Sequence, residues 1–247
     1  MLKYELYFSK PLMNAAGMLG FSPDARGPLD LSKFGAFITN PISLAPRAPA
    51  KARCYLPFPG GFLLHSGYPN PGIKAVLRRY ARRWAQSPVP VIVHLLVQEM
   101  RELALLVERL ESLEGIMALE VSVPHAATED LTFALVSAAI GELPVIAQLP
   151  LMRAADLAEA AIDAGANALS MGPSRGVLTN AEGKLIAGRL YGPSLLPNMM
   201  LALQSLAGCD VPVIASGGIY HPEQVQMALD AGAAAVQLDT VLWQRGW

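Results

Sequence analysis

The chain has little of what marks a metalloprotein, a disulfide-stapled protein or a nucleic-acid binder. Its 247 residues include two cysteines and four histidines, and the formal net charge is −1. Cys54 and Cys209 are isolated and match no CxxC or zinc-ligand spacing, so two reduced thiols are expected. A charge balance this close to zero gives no electrostatic drive toward nucleic acid or an anionic membrane. Hydrophobic residues make up 53% of the chain, yet no apolar run reaches the length of a membrane span. Ala-rich helices and buried strands account for that fraction. The opening Met1-Leu-Lys-Tyr-Glu-Leu-Tyr-Phe8 is too short and too charged for a signal peptide, which makes a cytoplasmic protein the expectation.

What the chain does have is rhythm. Strand-like apolar runs fall at 34–40, 90–96, 115–123, 144–149, 166–171, 212–216 and 234–238. Helical spacing falls between them at 72–86, 99–111, 128–140, 154–164, 194–207 and 222–231. Such alternation predicts a parallel sheet with helices outside, and the length fits one (β/α)8 TIM barrel over residues 1–247 as a single domain. The echo of Asp163-Ala-Gly-Ala-Asn-Ala-Leu169 in Asp230-Ala-Gly-Ala-Ala-Ala-Val236 supports repeated units, each a Gly-capped helix end running into a buried strand. The eighth strand is the least visible, and 62–65 is the best candidate for it. Two Pro- and Gly-rich stretches, 41–71 and 173–192, read as long loops at strand C-termini, where barrel active sites lie.

The end of the chain is its most informative part. Val211-Pro-Val-Ile-Ala-Ser-Gly-Gly-Ile219 and Ala235-Val-Gln-Leu-Asp-Thr-Val-Leu242 each run from a buried strand into small or polar residues. Loops after strands seven and eight of a barrel form a phosphate cradle, and the Gly217-Gly218 amides can face an anion.

Several segments in order resemble the dihydroorotate dehydrogenase family of flavin-dependent barrels, across nearly the whole chain. They are Pro11-Leu-Met-Asn-Ala-Ala-Gly17, Gly35-Ala-Phe-Ile-Thr39, Gly61-Phe-Leu-Leu-His-Ser-Gly-Tyr-Pro-Asn-Pro-Gly72, Gly188-Arg-Leu-Tyr-Gly-Pro-Ser-Leu-Leu-Pro197, Ala215-Ser-Gly-Gly-Ile219 and Val236-Gln-Leu-Asp-Thr240. The resemblance implies FMN. Its ring would lie near Ala15, Ala16, Gly17, Asn40, Gln148, Ser170 and Gly192, and its phosphate on Gly217, Gly218, Asp239 and Thr240. It also implies a small-molecule substrate stacked on the flavin, with the cofactor supplying the redox chemistry.

The chain departs from the family's pattern where the chemistry is done. The family's Asn-x-Ser-Cys-Pro-Asn segment is Glu120-Val-Ser-Val-Pro-His125 here, so the proton acceptor is replaced by Val123. Substrate-binding amides are lost at Glu120, His125, Leu64 and Leu169. Two family lysines stand as Asn40 and Gln148, and the glycine before Thr240 is Asp239. Each buried polar group left unpaired by such changes costs about 1–3 kcal/mol, so a substrate other than dihydroorotate is expected.

The residues then offer His125 or His65 as a general base, with Glu120 orienting it. A metal would require His65, His94 and His125 to converge, and no ligand spacing supports one. Two readings follow: an FMN oxidoreductase with a new substrate, or a degenerate homologue that binds FMN or another phosphorylated ligand without turnover, as a partner subunit. The expected partner is a small molecule, with a homodimer allowed. Arg78, Arg79, Arg82 and Arg83 are expected on a solvated helix face with Tyr80 or Trp84 turned inward. Tyr68 and Tyr191 are placed over the mouth, and Trp243 and Trp247 at a barrel end.

Overall fold

The computed structural model describes residues 6–24, 27, 29–51, 54–97 and 99–244. The first eight residues of the leader reading and Trp247 therefore fall partly or wholly outside the described residues. In chain order the strands and helices are β1 (Leu12–Asn14), β2 (Phe37–Ile38), β3 (Cys54–Phe58), β4 (Gly61–His65), α1 (Ile73–Ala85), β5 (Val91–Leu95) and α2 (Met100–Glu111). They continue with β6 (Ile116–Ser122), α3 (Glu129–Ser137), β7 (Val145–Pro150), α4 (Ala154–Asp163), β8 (Ala168–Gly172), β9 (Arg175–Thr179) and β10 (Leu185–Tyr191). The last are α5 (Leu196–Ser205), β11 (Val213–Ser216), α6 (Pro222–Asp230) and β12 (Ala235–Leu238).

Eight of the strands form one parallel sheet in the order β1-β12-β11-β8-β7-β6-β5-β2. It curls until its edges meet at a parallel bridge between Met13 and Ala36. The Asn14 side chain reinforces that seam, accepting from Ile38 N at 3.0 Å and donating to Ile38 O at 2.6 Å. Asn14 thus supplies with its amide what the short strands β1 and β2 cannot supply with backbone. The expected TIM barrel is present. Its eighth strand is β1 and not 62–65.

Residues 62–65 belong to a second sheet, antiparallel, in the order β3-β4-β10-β9. The two stretches read as long loops fold together into this cap. Leu64 pairs with Arg189 and Phe62 with Tyr191 across a gap in sequence that no local pattern reveals. Closure is tight: a Cβ on Gly192 (φ 136°) would lie 2.3 Å from the Gly60 carbonyl oxygen, and one on Gly61 2.2 Å from that of Tyr191. Only glycine permits this approach.

The barrel interior is built in layers that follow the two-residue period of a strand. The floor holds Met13, Ala235, Ile214, Ala168, Ile146, Ala118, Ile92 and Ile38, with Ala and Ile alternating over most of the ring so that large side chains meet small ones. Two residues further along six of these strands come His94, Glu120, Gln148, Ser170, Ser216 and Gln237, all buried. The larger apolar core lies between barrel and helices and includes Trp84, whose indole N–H donates to Phe21 O at 2.7 Å. The four arginines of α1 are exposed, and Arg79 and Arg83 lie over the Tyr80 ring, the solvated face that the sequence implied. Trp243 caps one end, stacked on Phe62 and bonded to Met18 O. No helix among the described residues is long and apolar enough to cross a membrane.

Candidate binding site at the barrel mouth

Above the apolar floor, one carboxylate organises the polar layer. Glu120, fully buried on β6, bonds His94 Nδ1 at 2.6 Å, Ser170 Oγ at 2.7 Å and Gln237 Nε2 at 2.6 Å, with Gln148 Nε2 at 3.5 Å. Burial pushes its carboxyl up, and the bonds from His94, Ser170 and Gln237 outweigh that and hold it below the ordinary value. Glu120 is therefore an ionised hub that ties five strands together. It orients His94, whereas His65 and His125 stand away from it at the mouth. The sequence offers His94 only as a ligand that a metal would need and does not single out Gln237. The signal that finds both is the inward position two residues after a floor residue. Among the described residues no group of three or more His, Cys, Asp or Glu is placed to hold a metal.

The mouth is a cavity of about 650 Å³ between the strand C-termini and the antiparallel cap. Arg47, His65, Tyr68, His125, Arg175 and Arg189 line it together with Ser66, Ser122 and Gln148, and no Asp or Glu is in the lining. Arg189 is 7% exposed. Its Nε donates to Tyr191 Oη at 3.1 Å and its Nη2 to Ser66 Oγ at 2.8 Å. The guanidinium carbon sits 3.4 Å from the centre of the Tyr68 ring. Burial pushes both the Tyr68 and Tyr191 phenols up, so neither provides an anion at neutral pH. Among the described residues Arg189 has no carboxylate partner. Tyr68 takes a φ of 52°, and among the described residues no other non-glycine has a positive φ. Backbone strain of that kind gathers at ligand sites.

Behind Tyr68 lies the place where the implied flavin would sit. Ala15, Ala16, Gln148, Gly217 and Asp239 line a cleft there with Tyr68, Met171 and Leu190. It holds about 20 Å³, room for about one water molecule. Ser174 Oγ and Gln237 Oε1, two buried atoms without a partner, border it and call for a polar guest of that size. Other expected cofactor residues have structural work. Asn40 Oδ1 accepts from Gly20 N at 3.0 Å, Ser170 serves Glu120, and Gly192 lets the cap close. Gly17 (φ 88°) turns the chain beside Pro41. Thr240 Oγ1 is 2.6 Å from Tyr220 Oη. At the phosphate cradle, Thr240 Oγ1 donates to Asp239 Oδ1 at 3.3 Å, and the nearby backbone N–H groups of Thr240, Val241 and Gly218 favour the charged form of that carboxyl. As folded, the inner cleft is narrower than a flavin ring.

A closed parallel barrel with helices outside it defines a (β/α)8 protein. Residues 3–247 match the family model described as dihydroorotate dehydrogenase, and the chain belongs to that family. It is 31% identical over 256 residues to the dihydroorotate dehydrogenase B (NAD(+)) catalytic subunit of Desulforudis audaxviator, a match spanning 95% of this chain and 83% of that one. The subunit of the same description from Geotalea uraniireducens is 30% identical over 93% of this chain and 82% of its own. That of Pyrococcus furiosus is 29% identical over 100% and 89%.

Proposed function

We propose that this chain is a dihydroorotate dehydrogenase-family barrel that binds a small organic anion at its mouth without flavin redox turnover. The observation that carries this reading is Arg189. A guanidinium stays protonated, and burying it without an opposite charge is costly unless a ligand supplies one. Arg47 and Arg175 add positive charge to the same cavity, and Tyr68 and Gln148 offer a planar face and hydrogen bonds beside it. A carboxylate-bearing molecule of modest size is the guest this lining selects. Val123, 5% exposed and without a proton acceptor, argues against proton abstraction at the family's base position. His65 and His125 remain at the rim, where they bind and orient rather than form a dyad with Glu120. As the relatives are named catalytic subunits, this chain is proposed to act as a subunit too, as one domain over its length.

The flavin-oxidoreductase reading draws support from Ala15, Ala16 and Gly217, which line the inner cleft. The narrowness of that cleft weighs against it.

The anion reading is tested by calorimetric titration with a panel of small mono- and dicarboxylates. The wild type binds at least one of them. Arg189→Met weakens that binding by about 30-fold or more, since losing one side of a buried charge pair costs about 2 kcal/mol or more. Equal affinity in the variant, or no binding of any anion by the wild type, overturns the reading.

A further inference from the structure

The anion cradle at the ends of β11 and β12 is occupied by the chain itself. Gly217 and Gly218 turn with φ of 111° and 77°, and Gly218 packs so closely that a Cβ would lie 2.2 Å from Leu196 N. The start of α5 therefore excludes any side chain at this position. Asp239, at the tip of β12, is 4% exposed and borders the inner cleft with Ser216 and Gly217. Its Oδ1 lies 3.3 Å from Thr240 Oγ1, and that hydroxyl is held from the other side by Tyr220. The nearby backbone N–H groups of Thr240, Val241 and Gly218 favour the carboxyl's charged form. These amides belong to the two loops that cradle a phosphate in barrels of this kind. Among the described residues no lysine or arginine lines the cleft beside the carboxylate, which leaves amide dipoles to balance it.

We propose that Asp239 is a built-in substitute for a phosphate group, and that it closes the cradle to phosphorylated ligands, the family's flavin phosphate among them. A phosphate brought to the same amides competes with a buried carboxylate for them and meets a like charge. The inner cleft has no room to let the two anions separate. Replacing Asp239 by a residue with no side chain leaves the Gly218, Thr240 and Val241 donors free and removes the repulsion together. The substitution that closes the site is thus also the one that reopens it. The site lies behind the Tyr68 wall, and failure of the mouth to bind organic anions leaves this proposal untouched.

The experiment compares wild type, Asp239→Gly and Asp239→Asn for binding of inorganic phosphate at neutral pH, by calorimetry and phosphorus NMR. Asp239→Gly binds phosphate, while the wild type binds about tenfold more weakly or not at all, the difference expected from freeing amide bonds to a charged group. Asp239→Asn keeps the cradle filled and behaves like the wild type. Asp239→Ala takes the place of the glycine variant if circular dichroism shows that variant unfolded. In the wild type, the amide resonances of Gly218, Thr240 and Val241 follow the Asp239 carboxyl through one common titration. Phosphate binding by the wild type as tight as by Asp239→Gly overturns the proposal. So does a folded glycine or alanine variant that binds none, or three amides that ignore the carboxyl.

Discussion

Burial pushes the Asp239 carboxyl up to about 6, against the pull of the Thr240, Val241 and Gly218 donors. A native value above the unfolded one means that the unfolded chain gives up its proton first as pH rises. The stability tied to this group is therefore complete below about pH 4 and is lost as pH rises through about 6. A change from the ordinary 3.8 to about 6 corresponds to about 3 kcal/mol. Asp239→Asn removes the titration, so urea unfolding should show the variant gaining on the wild type by up to about 3 kcal/mol between pH 4 and pH 7. A wild type that keeps its full stability over that interval contradicts the assignment. Glu120 is the opposite case, since three strong partners hold its charge where burial alone would not. The sequence made Asp239 and Glu120 stand out as departures from a pattern. It did not show that Glu120 stands beside His94, because that juxtaposition depends on the register of the β5–β6 pairing, which neither strand shows alone.

At the scale of elements, the six helices are legible in the sequence nearly to the residue, because Gly and Pro punctuate them and a cap such as Thr128 on Leu131 N fixes the start. The seven longer strand runs are legible for a similar reason: their apolar β-branched runs are bounded by turns. Strand β1 is three residues long, too short for periodicity to show, and its place is set by pairing with β12 at the far end of the chain. The cap is hidden in the same way, as its β4–β10 pairing joins segments more than a hundred residues apart. Gly192 holds that junction. Gly192→Ala forces a Cβ into the Gly60 and Gly61 backbone at a φ that side chains rarely adopt, and overpacking plus strain should destabilise the chain by about 2 kcal/mol or more. Thermal unfolding checks this; an unchanged midpoint means that the cap closes some other way.

The whole molecule combines a family scaffold with a layered polar interior at the open end. Its apolar floor and outer core need only volume and pattern, which many sequences can supply. The upper interior, by contrast, carries a carboxylate hub, a buried guanidinium facing the mouth and a carboxylate in the phosphate cradle. The three sit at different depths of one barrel end, which separates an inner cleft from an outer cavity at Tyr68. The consequence at this scale is a barrel that presents a cationic mouth and a closed interior. The most direct measurement is the visible absorption spectrum of the purified wild type after incubation with excess FMN and removal of what is free. The account predicts a colourless protein. Stoichiometric flavin absorption that survives the removal would contradict it and return the chain to the flavin oxidoreductases of its family.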